Sequence, residues 1–250
     1  MHPFYFIFLS LAGCLAGIVD TLVGGGGLIV MPALLIAGVP PTTALGTMKF
    51  QASVGECNAS FQFIRHGKIE FKKLLLGIFF VLVGSIIGSL TVQKINADFL
   101  AKFIPFLLLL IFLYSIFSKR FASEISGEQR LSDFIFYFIF GLLIGFYNGF
   151  FGPATGSFWI IALIFFLGFD LKKATMHAKP LNFAGNLIAL ICFIYAGLVN
   201  YPVAIAMSMG QLIGSFLGAK LVIHKGVKLI RPVFIMVVLI MMIVLFLKSF

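Results

Sequence analysis

The sequence predicts an all-α, polytopic integral membrane protein made of two inverted-topology repeats. Each repeat holds about five helical elements, including a short helix that is glycine-broken or re-entrant. Three observations carry this: a composition too apolar for a water-facing surface, a succession of apolar segments near membrane-spanning length, and a self-similarity at a constant offset.

Of the 250 residues, 61% are hydrophobic and 10% charged, where a soluble domain carries about 25% charged residues. A soluble fold must still clothe its outside in polar groups, whereas lipid removes that requirement. The 32 Phe and 9 Met then read mostly as lipid-facing or helix-packing hydrocarbon. A net charge of +10 raises nucleic acid as a partner. The basic residues sit in short loops between apolar runs, however, where they act as topology signals. Cys14, Cys57 and Cys192 lie inside apolar segments without paired spacing, so neither a disulfide framework nor a zinc site is indicated. No Lys or Arg precedes the first apolar run, which is therefore expected to be retained rather than cleaved.

The apolar segments run 4–22, 28–39, 43–64, 74–93, 99–117, 133–151, 156–168, 174–196, 201–222 and 232–248. Most approach the ~20 residues that a spanning helix needs. Segments 28–39 and 156–168 are much shorter. At ~1.5 Å per residue they reach only about halfway across a ~30 Å hydrocarbon core. Each follows a backbone-loosening stretch, Gly24-Gly25-Gly26-Gly27 in one case and Gly152-Pro153-Ala154-Thr155-Gly156 in the other. Nothing alternates with the period of two that a strand would show.

The repeat is read at an offset of 130 residues: Gly38 with Gly168, Ala44 with Ala174, Lys49 with Lys179, Gly55 with Gly185, Gly67 with Gly197, and Gly84-Ser85-x-x-Gly88 with Gly214-Ser215-x-x-Gly218. Before a two-residue slip the offset is 128: Gly17 with Gly145, Asp20 with Asn148, Gly24 with Gly152. The chain divides accordingly into a first membrane repeat (1–117), a polar cytoplasmic linker (118–131) and a second membrane repeat (132–250).

Orientation follows from charge. If each apolar segment reverses the chain, thirteen basic residues collect on one side: Arg65, Lys68, Lys72, Lys73, Lys119, Arg120, Arg130, Lys172, Lys173, Lys220, Lys225, Lys228 and Arg231. Lys94, Lys102 and Lys248 lie on the other, and Lys49 and Lys179 fall inside the membrane. The basic-rich side is expected to be cytoplasmic, with both termini facing outward. An odd number of elements per repeat makes the repeats inverted, whether the short segments cross or dip in and return. Inverted repeats with interrupted helices mark transporters, with the site where the breaks meet. The backbone groups freed at a break survive only against protein, water or ligand.

Lys49 and Lys179 are the sharpest chemical signals. A lysine at membrane depth costs at least ~2.5–3.5 kcal/mol on insertion scales. Snorkelling to the interface is the bland alternative, and their equivalence under the repeat weighs against it. Lys49, Ser53 and Glu56 share one helix face, and Lys179, Asn182 and Asn186 share another. Two inward lysines suit a small anion. Glu56 occupies the position matching Asn186, so in the empty state Glu56 is expected to partner Lys49, leaving Lys179 to await the anion. Helix–helix hydrogen bonding is the alternative role for Asn182 and Asn186. Glu56 and Asp20 are intramembrane acids and candidates for carrying a coupled proton. Gly24, Gly25, Gly26 and Gly27, with Gly152 and Thr155, are candidates for lining the anion site, because glycine admits close backbone approach and a helix N-terminus attracts anions. Ser157 would add a hydroxyl there. Thr47 and His177 are equivalent residues near the starts of their helices, and His177 is either titratable or structural.

No G-K-[ST], H-E-x-x-H, C-x-x-C or G-x-S-x-G occurs, so no phosphate loop, metal cluster or nucleophile elbow is expected. The sequence calls for no cofactor and no nucleic acid, only a lipid bilayer and a small anion. Two rival readings stand beside the transporter: an anion channel using the same lysines, and an intramembrane enzyme built on His177 with a serine or an acid.

The run Gly17-x-x-Asp20-x-x-x-Gly24-Gly25-Gly26-Gly27, then Pro32, then Ala44-Leu45-Gly46-Thr47-x-Lys49, resembles the sulfite exporter TauE/SafE family of bacterial membrane proteins. So does the second copy, Gly145-Phe146-Tyr147-Asn148-Gly149-Phe150-Phe151-Gly152-Pro153-x-Thr155-Gly156 with Ala174-Thr175-x-His177-x-Lys179-x-x-Asn182-x-x-x-Asn186. The resemblance spans nearly the whole chain. It implies transport, by export, of sulfur-containing anions such as sulfite, thiosulfate or small organosulfonates. The second copy carries Asn148 where the first carries Asp20.

Overall fold

Helix after helix follows the apolar segments, and the breaks fall at the glycines. The computed structural model describes residues 3–66, 69, 71–117, 127–224 and 239. Among them lie α1 (Pro3–Val23), α2 (Gly27–Ile36), α3 (Pro41–His66), α4 (Phe71–Val92) and α5 (Ala97–Phe117). After the linker come α6 (Asp133–Phe150), α7 (Thr155–Leu167), α8 (Leu171–Tyr195) and α9 (Tyr201–His224). The expected last segment, 232–248, lies outside the described residues apart from Leu239, as does linker segment 118–126.

Local chemistry sets the boundaries. Pro41 opens α3, where its missing N–H removes nothing from the helix ladder. The Asp170 side chain caps α8 by accepting from the Lys173 N–H at 2.8 Å. Ser132 caps α6 in the same way. Within α6 a single π turn spans Tyr137–Gly141, which the apolar pattern does not announce. Gly24 and Gly152, equivalent under the repeat, both take positive φ (73° and 104°) and interrupt the chain between a long helix and a short one. Gly38 and Gly168, likewise equivalent, do the same just after the short helices α2 and α7.

Five described helices are long and apolar enough to cross a membrane: Tyr5–Val23, Leu74–Val92, Asp133–Phe150, Leu171–Tyr195 and Tyr201–Ile223. At 26 residues α3 has the length to span but carries Lys49, Gln51 and Glu56 in its middle, which lowers its hydropathy. Those three side chains are buried, while large apolar residues such as Leu11, Phe79, Leu143 and Met209 face outward. Polar groups inside and hydrocarbon outside is the arrangement lipid demands, so the protein is a multi-pass membrane protein. The 10-residue α2 and 13-residue α7 are apolar on nearly every side and sit within the bundle; residues 28–34 of α2 are all buried.

Small residues bring the long helices into backbone contact. On α9, Gly210 and Gly214 leave room for the α1 backbone at Ser10 and Cys14. On α1, Gly13 and Gly17 leave room for α9 at Met207 and Gln211. The α4–α6 pair repeats the pattern: Gly84 and Gly88 lie against Leu142 and Phe146, and Gly145 and Gly149 lie against Val81 and Ser85. In lipid, where burying hydrocarbon gains nothing, such close packing is what holds helices together. At the sequence offset α6 matches α1 and α4 matches α9, so the two contacts involve matching segments of the two halves. Another matched pair, α3 and α8, pack against each other. They carry the two lysines.

Candidate functional site in the centre of the bundle

The two glycine breaks touch. A Cβ on Gly24 would strike the backbone of Gly156 and Ser157, and the Ser157 N–H donates to the Gly24 carbonyl at 3.3 Å. The Ser157 hydroxyl donates to the Val23 carbonyl, so the end of α1 is satisfied by the start of α7. Thr155 donates its hydroxyl to the Gly152 carbonyl and steadies the second break. Backbone that lipid could not satisfy is thus paired within the protein.

Around this junction the charged groups of both halves are sealed from the exterior. Lys49, Lys179, Glu56, Asn182, Asn186 and Asn148 are all buried, both lysines at 0% exposure. The Lys179 ammonium donates to Asp20 Oδ2 at 2.7 Å and stands 3.9 Å from Glu56 Oε1. The other Asp20 oxygen, Oδ1, accepts from the Gly26 N–H at 3.3 Å, at the N-terminus of α2. Glu56 accepts from the Asn182 side chain through Oε1 and from the Asn186 side chain through Oε2, the latter at 2.8 Å. Lys49 donates to the Asn148 carbonyl, to Asn148 Oδ1 at 2.7 Å and to Asn186 Oδ1 at 3.1 Å. Asn148 in turn donates to Asn182 Oδ1 at 3.3 Å. One continuous network therefore links four ionisable side chains through three asparagines.

Glycine is what lets these groups in. A Cβ on Gly152 would collide with the Lys49 ammonium, and one on Gly26 with the Asp20 side chain. Gly185 makes room for the Asn148 amide, and its counterpart Gly55 makes room for the Gln211 side chain.

The pairing differs from the sequence expectation. Lys179, expected to await an anion, is the lysine in direct ion pairs. Lys49, expected to pair with Glu56, is held by neutral oxygens, and no acid lies within 4.0 Å of it among the described residues. The cause is Asp20: α1 ends beside α8, so its carboxylate reaches the lysine of the other half, and Glu56 is turned toward the two asparagines of α8. Asp20 also occupies the α2 N-terminus, the position at which the sequence places an external anion.

A cavity of about 20 Å³, room for roughly one water, lies at the centre. It is lined by Asp20, Gly24, Gly26, Gly27, Gly152, Glu56, Asn182 and Asn186, all singled out by sequence, and also by Met48, Gln51, Ala52, Ala154 and Gln211. Lys49, Lys179, Gly25, Thr155, Thr47 and His177 do not line it; the two lysines stand behind it, bonded to its Asp20 and Asn186. Thr47 accepts from the Asn200 N–H at 3.0 Å, and His177 Nδ1 lies 2.8 Å from the Lys173 carbonyl oxygen, so each ties down its own end of a helix. Gln51 and Gln211 were passed over in the sequence. The available signal was an amide at membrane depth, on the lysine-bearing helix and inside the G-x-x-x-G stretch of α9, respectively.

A membrane-embedded helical bundle whose ionised side chains are sealed beside two broken helices is a membrane transporter. The chain belongs to the sulfite exporter TauE/SafE family, whose profile matches residues 9–245. It is 42% identical over 228 residues to a probable membrane transporter protein of Haemophilus influenzae, covering 90% of this chain and 88% of that one. It is 41% identical over 229 residues to the probable membrane transporter protein YfcA of Escherichia coli (92% and 85% covered). A Sinorhizobium protein of similar name, ORF9, is 37% identical over 230 residues (92% and 88%).

Proposed function

We propose that the protein is a secondary transporter, working as an exporter, of a small sulfur-containing anion such as sulfite, thiosulfate or an organosulfonate. The observation that carries this is the full burial of Lys49 and Lys179, on two helices that pack against each other, within one network through Glu56 and Asn186 beside the contact of the two glycine breaks. Lys179 is paired with Asp20, and Lys49 donates to the neutral oxygens of Asn148 and Asn186. An entering anion competes with Asp20 for the Lys179 ammonium and with those amide oxygens for the Lys49 ammonium. The central cavity holds about one water, so an anion is admitted only with rearrangement. This favours alternating access over a standing channel. The family's name adds the sulfur-anion class. The test is flux from proteoliposomes loaded with sulfite, thiosulfate or a small organosulfonate. Saturable transport of one of them is expected. Linear, non-saturating flux would indicate a channel, and no flux of any of the three would refute the substrate class.

The same reading takes the two halves as inverted repeats in a bacterial plasma membrane, with both termini outside. The matching of the α1–α9 and α4–α6 contacts supports it, as does the concentration of basic residues on one side. Single cysteines placed at Lys72, Ser126 and Lys225, in a background lacking Cys14, Cys57 and Cys192, are expected to react only from the cytoplasmic face. Reaction at 72 and 225 from opposite faces would contradict inversion.

A further inference from the structure

We propose that the water-sized cavity between Asp20, Glu56 and Gln211 is a binding site for a sodium-sized monovalent cation. The inference deepens the transport reading and rests on it, since such an ion would be bound and carried together with the anion.

The cavity wall carries two carboxylates, Asp20 and Glu56, and two amides, Gln51 and Gln211, beside those of Asn182 and Asn186. Of the roughly four lone-pair sites on a carboxylate, Asp20 uses two, toward Lys179 and Gly26. Glu56 uses its own mainly on Asn182 and Asn186, which commits those two amide groups. On the opposite side stands Gln211 of α9, 2% exposed, whose Oε1 is buried with no hydrogen-bond partner among the described residues. A buried orphan acceptor is unfavourable by about 1–3 kcal/mol. The Gln211 side chain has its place only because Gly55 lacks a side chain, since a Cβ there would collide with its Cγ, Cδ and Nε2. Its position calls for a guest that offers positive charge. Gly24, Gly26 and Gly27 line the same space, and loosened backbone of this kind is a common cation ligand in transporters.

Size and charge narrow the guest. About 20 Å³ admits one water or a dehydrated sodium ion, which is smaller than water, and crowds larger cations. Lys49, Lys179, Asp20 and Glu56 sum to zero when ionised. Of the proposed anions, an organosulfonate or hydrogensulfite is a monoanion; entering alone it leaves one uncompensated negative charge in a low-dielectric interior, and a monovalent cation beside it restores neutrality. A divalent cation would overshoot.

The test measures melting of purified protein in detergent without any anion substrate, with sodium replaced by choline at constant ionic strength and pH. Saturable stabilisation by sodium is expected, about 5–10 °C at a hundredfold excess over Kd. Gln211→Met, which keeps length and removes the oxygen, should lower the apparent sodium affinity at least tenfold. Should that variant fold poorly, radioactive sodium binding to wild type, competed by unlabelled sodium and not by choline, carries the same weight. Identical melting in sodium and choline would overturn the site and leave a single water there. Stabilisation that follows pH and not sodium, or survives intact in Gln211→Met, would overturn it as well. Because no anion is present, loss of the sodium response with intact anion flux sinks only this site. The converse sinks only the anion assignment.

Discussion

Replacing Lys179 by Ala is expected to destabilise the protein by about 3–5 kcal/mol, the largest effect of any single change at the centre. Lys179 is the cation in direct contact with Asp20 at 2.7 Å and the nearest to Glu56 at 3.9 Å. Its removal leaves two carboxylates in the interior with only Lys49 to answer them, and Lys49 is committed to Asn148 and Asn186. The loss comes from a buried charge without its partner, not from missing volume. The double variant Asp20→Asn with Lys179→Ala should therefore recover most of it, because one acid and one lysine then remain. Melting in detergent would read both. A Lys179→Ala protein that melts like wild type, or a double variant that gains nothing over the single, would show that the 2.7 Å pair does not stabilise the fold.

Lys49→Met is expected to separate binding from folding. The ammonium of Lys49 is held by neutral oxygens alone, so its loss strands acceptors (Asn148 Oδ1, Asn186 Oδ1 and the Asn148 carbonyl), at about 1–3 kcal/mol for each that finds no other partner, and no uncompensated charge. Anion affinity should fall further in proportion. A charge-assisted hydrogen bond is worth roughly 1.5–3 kcal/mol, about ten- to a hundredfold in Kd. Lys49 is the lysine whose ammonium no carboxylate contacts directly, and it reaches its place only because Gly152 has no side chain. Half-saturation of flux in proteoliposomes reads the effect. A Lys49→Met protein with wild-type half-saturation would make this lysine a structural strut.

How far the centre could be read from sequence depends on which interactions are local. The helices, the two short elements and the turns at Gly24 and Gly152 follow from periodicity and backbone freedom, both properties of neighbouring residues. That Lys49 and Lys179 are buried followed from their place in long apolar runs. Which acid each lysine meets did not follow. That depends on α1 reaching α8, and Asp20 and Lys179 lie 159 residues apart. A helical-face argument compares residues on one helix, so it joined Lys49 to Glu56. The structure joins Glu56 to Asn182 and Asn186 on the facing helix. Thr47 and His177 were singled out by equivalence, yet an equivalent position near a helix start is as readily used to anchor that helix. Gln211 was hidden because its helix reads as a lipid-spanning, glycine-packed segment, and only the assembled cavity turns its amide into an orphan.

The most direct test of the central claim is to locate the bound anion itself. A selenium- or bromine-bearing analogue of the anion identified by flux can be placed by anomalous scattering in crystals of the protein. The account predicts one strong peak at the junction of the two glycine breaks, with anion oxygens about 2.7–3.2 Å from the Lys49 ammonium, the Lys179 ammonium or both. A fully occupied peak elsewhere, at the outer ends of the helices or against the basic loops, with none beside either lysine, would contradict it.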